Sequence, residues 1–131
     1  MKDKNCVFCK IINKEIPAEI VYEDDKFLAL LDINPRSAGH TLVIPKEHYR
    51  WVWDVPNAGE YFEVVKKIAL AQKKAFKQEV VLGHIEGKDV EHAHFWVYPD
   101  KTLQGFDMKD FKQNGEKIKN ELVIASSFLT S

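Results

Sequence analysis

The run from Val90 to Pro99, Val-Glu-His-Ala-His-Phe-Trp-Val-Tyr-Pro, constrains the fold of this chain more than any other stretch. Its residues favour a strand, and period-two alternation puts His92, His94 and Trp96 on one face and Ala93, Phe95 and Val97 on the other. A core can hold such a strand by its second face and leave the imidazoles for other work. Two imidazoles side by side suit a metal, a phosphate or a proton-transfer role; one hydrogen-bonded structural histidine beside a solvated edge histidine is the alternative.

The rest of the chain supplies partners for that strand. Glu19–Glu23 and Phe27–Asp32 read as strands joined by a turn at Asp24-Asp25, which makes a hairpin. The loop Asn34 to Gly39 leads into His40–Pro45, a short apolar strand that begins with His40. Trp51–Pro56 reads equally as loop or as a short extended segment. Asn57 and Glu60 resemble a capping box. After them Tyr61, Val64, Val65, Ile68, Ala69, Gln72, Ala75 and Phe76 fall at three- and four-residue intervals, the pattern of a long amphipathic helix with lysines 66, 67, 73 and 74 on its solvated side. Val80–Glu86 is a further strand candidate that pairs with the histidine strand across Gly87-Lys88-Asp89. Beyond Pro99, Asn114-Gly115 interrupts an otherwise helical segment from Asp107 to Leu122, so two short helices or one broken helix are expected there. The prediction is an α+β domain, an antiparallel sheet with one long helix, spanning residues 1–105, with residues 106–131 as a helical extension packed on it.

Charge and length narrow the function classes. The chain has 131 residues, enough for one core, and 19 basic against 20 acidic residues, a balance that advertises no polyanionic nucleic acid as partner. The N-terminus lacks the apolar run of a signal peptide and no stretch has the length to span a bilayer, so a cytoplasmic protein without membrane contacts is expected. Cys6 and Cys9 are the two cysteines, and a C-x-x-C pair in a reducing compartment is half of a metal site or a redox pair. Ile11–Ile16 reads as a helical turn ending before Pro17, with the cysteines at its start. Cys6, Cys9, His48 just past a strand and His92 together supply the two thiolates and two imidazoles of a closed, structural tetrahedral Zn2+ site; two free buried cysteines are the alternative. A thioredoxin-like role needs the pair before a long helix in a βαβ pattern, which the sequence lacks. His40 and His94 are left for other chemistry, with Asp32 and Lys46 as polar company, while His84 and Glu86 read as ordinary surface residues.

Several ordered segments between Cys6 and Pro99 resemble the histidine triad family of nucleotide hydrolases and transferases. They are Cys6-Val-Phe-Cys-Lys-Ile-Ile, Lys14-Glu-Ile-Pro-Ala, Leu31-Asp-Ile-Asn-Pro, Gly39-His-Thr-Leu-Val-Ile-Pro-Lys-Glu-His and Val90-x-His-x-His. The resemblance implies a five-stranded antiparallel sheet with helices, a homodimer, and action at the α-phosphate of a purine nucleotide conjugate through a nucleotidyl-histidine. Carried over by position, it implies His94 as nucleophile, His40 as its support, and Asp32 as the carboxylate on the ribose hydroxyls. Phe8, Ile11, Leu30, Leu31 and Ile33 become the apolar slot for the base, and the zinc ligands are the same Cys6, Cys9, His48 and His92. Two positions depart from the family pattern. Trp96 stands where the third histidine belongs, and Asp89 stands where a hydroxyl faces the phosphate, adding repulsion unless Lys88 neutralises it. Both positions belong to the expected nucleotide site. A zinc-stabilised nucleotide phosphoramidase or hydrolase is the first expectation; a nucleotide-binding module of little or no activity is the alternative.

Overall fold

The computed structural model describes residues 5–130, with side chains described through residue 127. Five strands form one antiparallel sheet: β1 (Ile20–Glu23), β2 (Phe27–Leu31), β3 (Thr41–Pro45), β4 (Val81–His84) and β5 (Phe95–Pro99), in spatial order β1-β2-β3-β5-β4. The helices are α1 (Val7–Ile12), α2 (Ala58–Ala75) and α3 (Phe111–Thr130), with a 3-10 turn at Val52–Asp54. The fold class expected from the sequence is the one observed.

Strict alternation along the inner strands creates two cores, one on each face of the sheet. Phe27, Ala29 and Leu31 of β2, Val43 of β3 and Val97 of β5 pack under α2 with Tyr61, Val64, Val65 and Ile68. Leu28, Leu30, Leu42 and Ile44 turn the other way and pack against Phe8, Cys9, Ile11 and Ile12 of α1, with Trp96 at the border. Because β2 and β3 are buried at every position, they read as continuous apolar runs. Gln72 of α2 is fully buried and donates from Nε2 to the carbonyls of Gly39 (2.8 Å) and Val97 (2.9 Å), tying the helix to the strands around the site.

Four expectations are corrected. The first helix starts at Val7, not Ile11: Cys6 is its N-cap, and Lys14 at a φ of 66° ends the segment before Ile16. β3 begins at Thr41, one residue after His40. His92 and His94 precede β5 and do not lie in it. Their faces still alternate, but the Ala93 N–H bonds to the Tyr49 carbonyl at 2.7 Å and no neighbouring strand continues the ladder there. The C-terminal segment is one unbroken helix, α3. Tertiary packing overrides the propensity of Asn114-Gly115: a Cβ at Gly115 would come within 2.6 Å of Glu19 Oε1, so this glycine lets α3 approach β1 closely, and buried Asn114 donates from Nδ2 to the Asp107 carbonyl at 2.8 Å.

One loop-to-loop contact positions the histidine segment. Gly87 adopts a φ of 79°, which favours glycine, and a Cβ there would lie 3.0 Å from Trp51. Arg50 lies with its guanidinium carbon 3.7 Å from the Trp51 ring centroid and donates from Nη1 to the Gly87 carbonyl at 2.8 Å. Residues 48–51 therefore hold the 85–94 stretch from outside.

Candidate active site and metal centre

The four expected metal ligands come together from three places in the chain, with all four ligand atoms within 4.8 Å of one another. His92 Nδ1 lies 3.2 Å from Cys6 Sγ, 3.6 Å from Cys9 Sγ and 3.1 Å from His48 Nδ1, and Cys9 Sγ lies 3.4 Å from His48 Nδ1. Tetrahedral zinc with ordinary Zn–S and Zn–N bonds separates its ligands by about 3.3 to 3.8 Å, so the set closes on an ion with small adjustments. His92 Nε2–H donates to the Pro45 carbonyl at 2.8 Å, leaving Nδ1 as the lone pair aimed at the thiols, the outer-shell arrangement that fixes a ligating imidazole. Burial holds His92 down at about 4, so its neutral, ligating form prevails at neutral pH. Burial pushes the Cys6 thiol up to about 11, which a bound cation would reverse. Residue types, tautomer and spacing all fit zinc.

Two residues on, His94 is buried and held the opposite way. Its Nδ1–H donates to the His92 carbonyl at 2.7 Å, which turns Nε2 outward. Asp89 Oδ1 stands 3.0 Å from that Nε2. Lys88 does not neutralise Asp89; its ammonium lies 3.5 Å from Glu86. His40 is buried as well, with Nδ1 accepting from the Arg36 backbone N–H at 3.0 Å and Nε2 facing Asp32 Oδ2 at 3.6 Å. Burial first, and the nearby Arg36 charge second, hold His40 down at about 4, while burial raises Asp32. Both shifts oppose an ion pair, so the contact is between a neutral imidazole and a carboxylate.

A HIT domain family model matches residues 13–103 of this sequence. The chain belongs to the HIT family. An uncharacterised HIT-like protein of Methanocaldococcus jannaschii is 45% identical over 100 residues, covering 72% of this chain and 78% of its own length. The adenosine 5′-monophosphoramidase of Saccharomyces cerevisiae is 38% identical over 104 residues, covering 76% of this chain and 65% of its own. Among solved structures, a Zn-bound histidine triad family protein from Mycobacterium smegmatis superposes with a TM-score of 0.78 at 30% identity, over 94% of this chain and 96% of that one.

Within this HIT domain the expected base slot divides. Phe8, Ile11 and Leu30 sit together on the α1 face, and the Phe8 ring meets His94 edge-on at 5.3 Å. Leu31 points through the sheet into the α2 core, because alternation sends it opposite to Leu30. Ile33 is 76% exposed, beyond the end of β2. Lys46 is also elsewhere, paired with Glu23 at 2.8 Å at the far end of β3. The open recess of about 520 Å³ near that end, lined by Asp25, Lys26, Pro45 and Lys46 among others, contains none of the histidines.

Around Trp96 the structure assembles residues that the sequence left unassigned. His84 is its cross-strand partner, with ring centroids 5.0 Å apart, and the His40 ring is 5.4 Å away. The Arg36 guanidinium carbon lies 4.9 Å from the Trp96 centroid and 5.7 Å from that of Tyr98. Period-two reading of β4 and β5 could have found His84; no local pattern marks Arg36. Among the described residues, no helix is long and apolar enough to cross a membrane.

Proposed function

We propose that this HIT protein is a nucleotide phosphoramidase or hydrolase that acts at the α-phosphate of a purine nucleotide conjugate in the cytoplasm, with His94 as nucleophile. The observation that carries the reading is the hold on His94: with Nδ1–H committed to the His92 carbonyl, Nε2 is the nitrogen presented outward, and it offers its lone pair to phosphorus once it has given up its proton and Asp89 has moved off it. Nε2 attacks phosphorus, the bond to the leaving amine or oxygen breaks with its electron pair, and the leaving group takes up a proton. Water then opens the nucleotidyl-histidine to release the nucleotide. Asp32 accepts from the ribose hydroxyls, and Phe8, Ile11 and Leu30 flank the base. Cys6, Cys9, His48 and His92 would hold zinc as a closed set, which would fix the segment that carries His94 and offer substrate no position on the metal. The yeast relative named as an adenosine 5′-monophosphoramidase supports the substrate class.

A second reading has its own observation. Asp89 occupies the outward nitrogen of His94, and Trp96 stands in place of the third histidine, a combination suited to a nucleotide-binding module of low turnover. Removing one transition-state contact commonly costs about 10² to 10³ in rate, so slow hydrolysis is the expectation. Edge strand β4 and the exposed Phe62, Leu70, Val80 and Leu82 suit a homodimer formed along that edge, which sedimentation equilibrium checks.

The test is release of AMP from adenosine 5′-phosphoramidate by the parent and by His94→Ala. Release by the parent alone supports nucleotidyl transfer through His94. Equal release by both sinks the mechanism, and no release by either, with AMP still bound, favours the binding module.

A further inference from the structure

The anion-binding side of this pocket poses an electrostatic problem. Asp32 and Asp89 place two carboxylates beside His40 and His94. His40 is neutral, and the Trp96 ring nitrogen is buried without a partner among the described residues. A phosphoryl group entering this site meets two carboxylates, and the histidine nitrogen turned outward already faces Asp89. Two cations of the neighbouring loops are engaged elsewhere: Lys88 lies 3.5 Å from Glu86, and Arg50 lies 3.5 Å from Glu91 while holding the Gly87 carbonyl.

Arg36 is different. Its side chain is exposed, and among the described residues it pairs with no carboxylate. It lies over Trp96 and donates from Nη1 to Tyr98 Oη at 3.5 Å, which leaves Nε and Nη2 without a protein partner among the described residues. Its backbone N–H holds His40, which fixes the loop at the site's rim. Stacked guanidinium groups with a free edge bind phosphate bidentately.

We propose that Arg36, held on the faces of Trp96 and Tyr98, is the phosphoryl-recognition residue of this pocket and supplies the cation that the third histidine position lacks. The inference rests on the nucleotide pocket proposed above. It assigns Trp96 a purpose: the indole is the platform that aims Arg36 at a phosphate monoester or diester anion. Arg36 acts by binding the substrate's charge, and it takes no proton.

The experiment is calorimetric titration of the full-length, zinc-loaded protein with AMP and with adenosine, for the parent, Arg36→Gln and Arg36→Lys. The expected result is an AMP Kd raised roughly tenfold or more in Arg36→Gln, with adenosine binding unchanged, and only a minor part of the loss recovered in Arg36→Lys, which keeps the charge and loses the stacked fork. A purely structural arginine would weaken both ligands in proportion, and that outcome, like no change in either, overturns the proposal. Two parent results separate this inference from the reading beneath it. Adenosine bound as tightly as AMP by the parent removes the phosphate site and keeps the nucleoside pocket. Neither ligand bound by the parent removes both.

Discussion

Lowering the pH should destabilise this protein through one identifiable imidazole, His40. Burial and the nearby Arg36 charge hold His40 at about 4 in the folded state, against about 6.5 in the unfolded chain. Between those values the unfolded chain binds the extra proton, so stability falls as pH drops from about 6.5 to about 4 and levels off below. Carried to pH 5, the difference is about 2 kcal/mol, against almost nothing at pH 7.5. His40→Asn removes the titration while its side-chain oxygen keeps an acceptor for the Arg36 N–H. The assay is urea unfolding of parent and variant at pH 7.5 and pH 5 with zinc buffered. Cysteine and histidine ligands titrate alike in both proteins and cancel in the difference of differences. The parent's midpoint should fall by about 1 M more than the variant's over that interval. Parallel curves would refute the argument, because they would mean that His40 takes up its proton equally well folded and unfolded.

Removing zinc should lower thermal stability well before it alters the chemistry of His94. Chelation, or Cys9→Ser, should depress Tm by several degrees while residual AMP release per folded molecule persists, read from melting curves beside turnover. Loss of turnover with an unchanged Tm would contradict a structural role. Gly39→Ala should be costly: at a φ of 86° its Cβ would overlap the Phe76 ring at Cε2. Left-handed strain and overpacking together predict about 2 to 5 kcal/mol, measurable in urea. A loss under 1 kcal/mol would show that Phe76 moves aside freely.

The legible parts of this fold are those where pattern and chemistry are local. Continuous apolar runs at Phe27–Leu31 and Thr41–Pro45 mark inner strands, three- and four-residue spacing marks α2, and a thiol pair with two imidazoles names its own metal. The less legible parts depend on what lies across space. Asn114-Gly115 reads as a break because propensity ignores Glu19, the neighbour that makes the glycine useful. Leu31 reads as slot-lining beside Leu30 until the sheet assigns them to opposite cores. Arg36 carries no motif, and its relation to Trp96 exists only once a loop and a strand sixty residues apart are brought together. His92 and His94 keep the alternation expected of a strand without belonging to one, since Tyr49 takes the backbone bond that a ladder would have supplied.

The grip of residues 48–51 on the histidine segment also sets what can be re-engineered. Gly87 is fixed by Trp51 and Arg50, Ala93 by the Tyr49 carbonyl, and His92 by the metal set to which His48 belongs. Between those pinned points only a few side chains face outward, chiefly Lys88, Asp89 and Glu91. That short panel is the natural library for reshaping the rim of the proposed site, a set of exchangeable fittings on a frame whose bolts lie on another loop. A graft that carries the panel without its bolts inherits the residues and loses their aim.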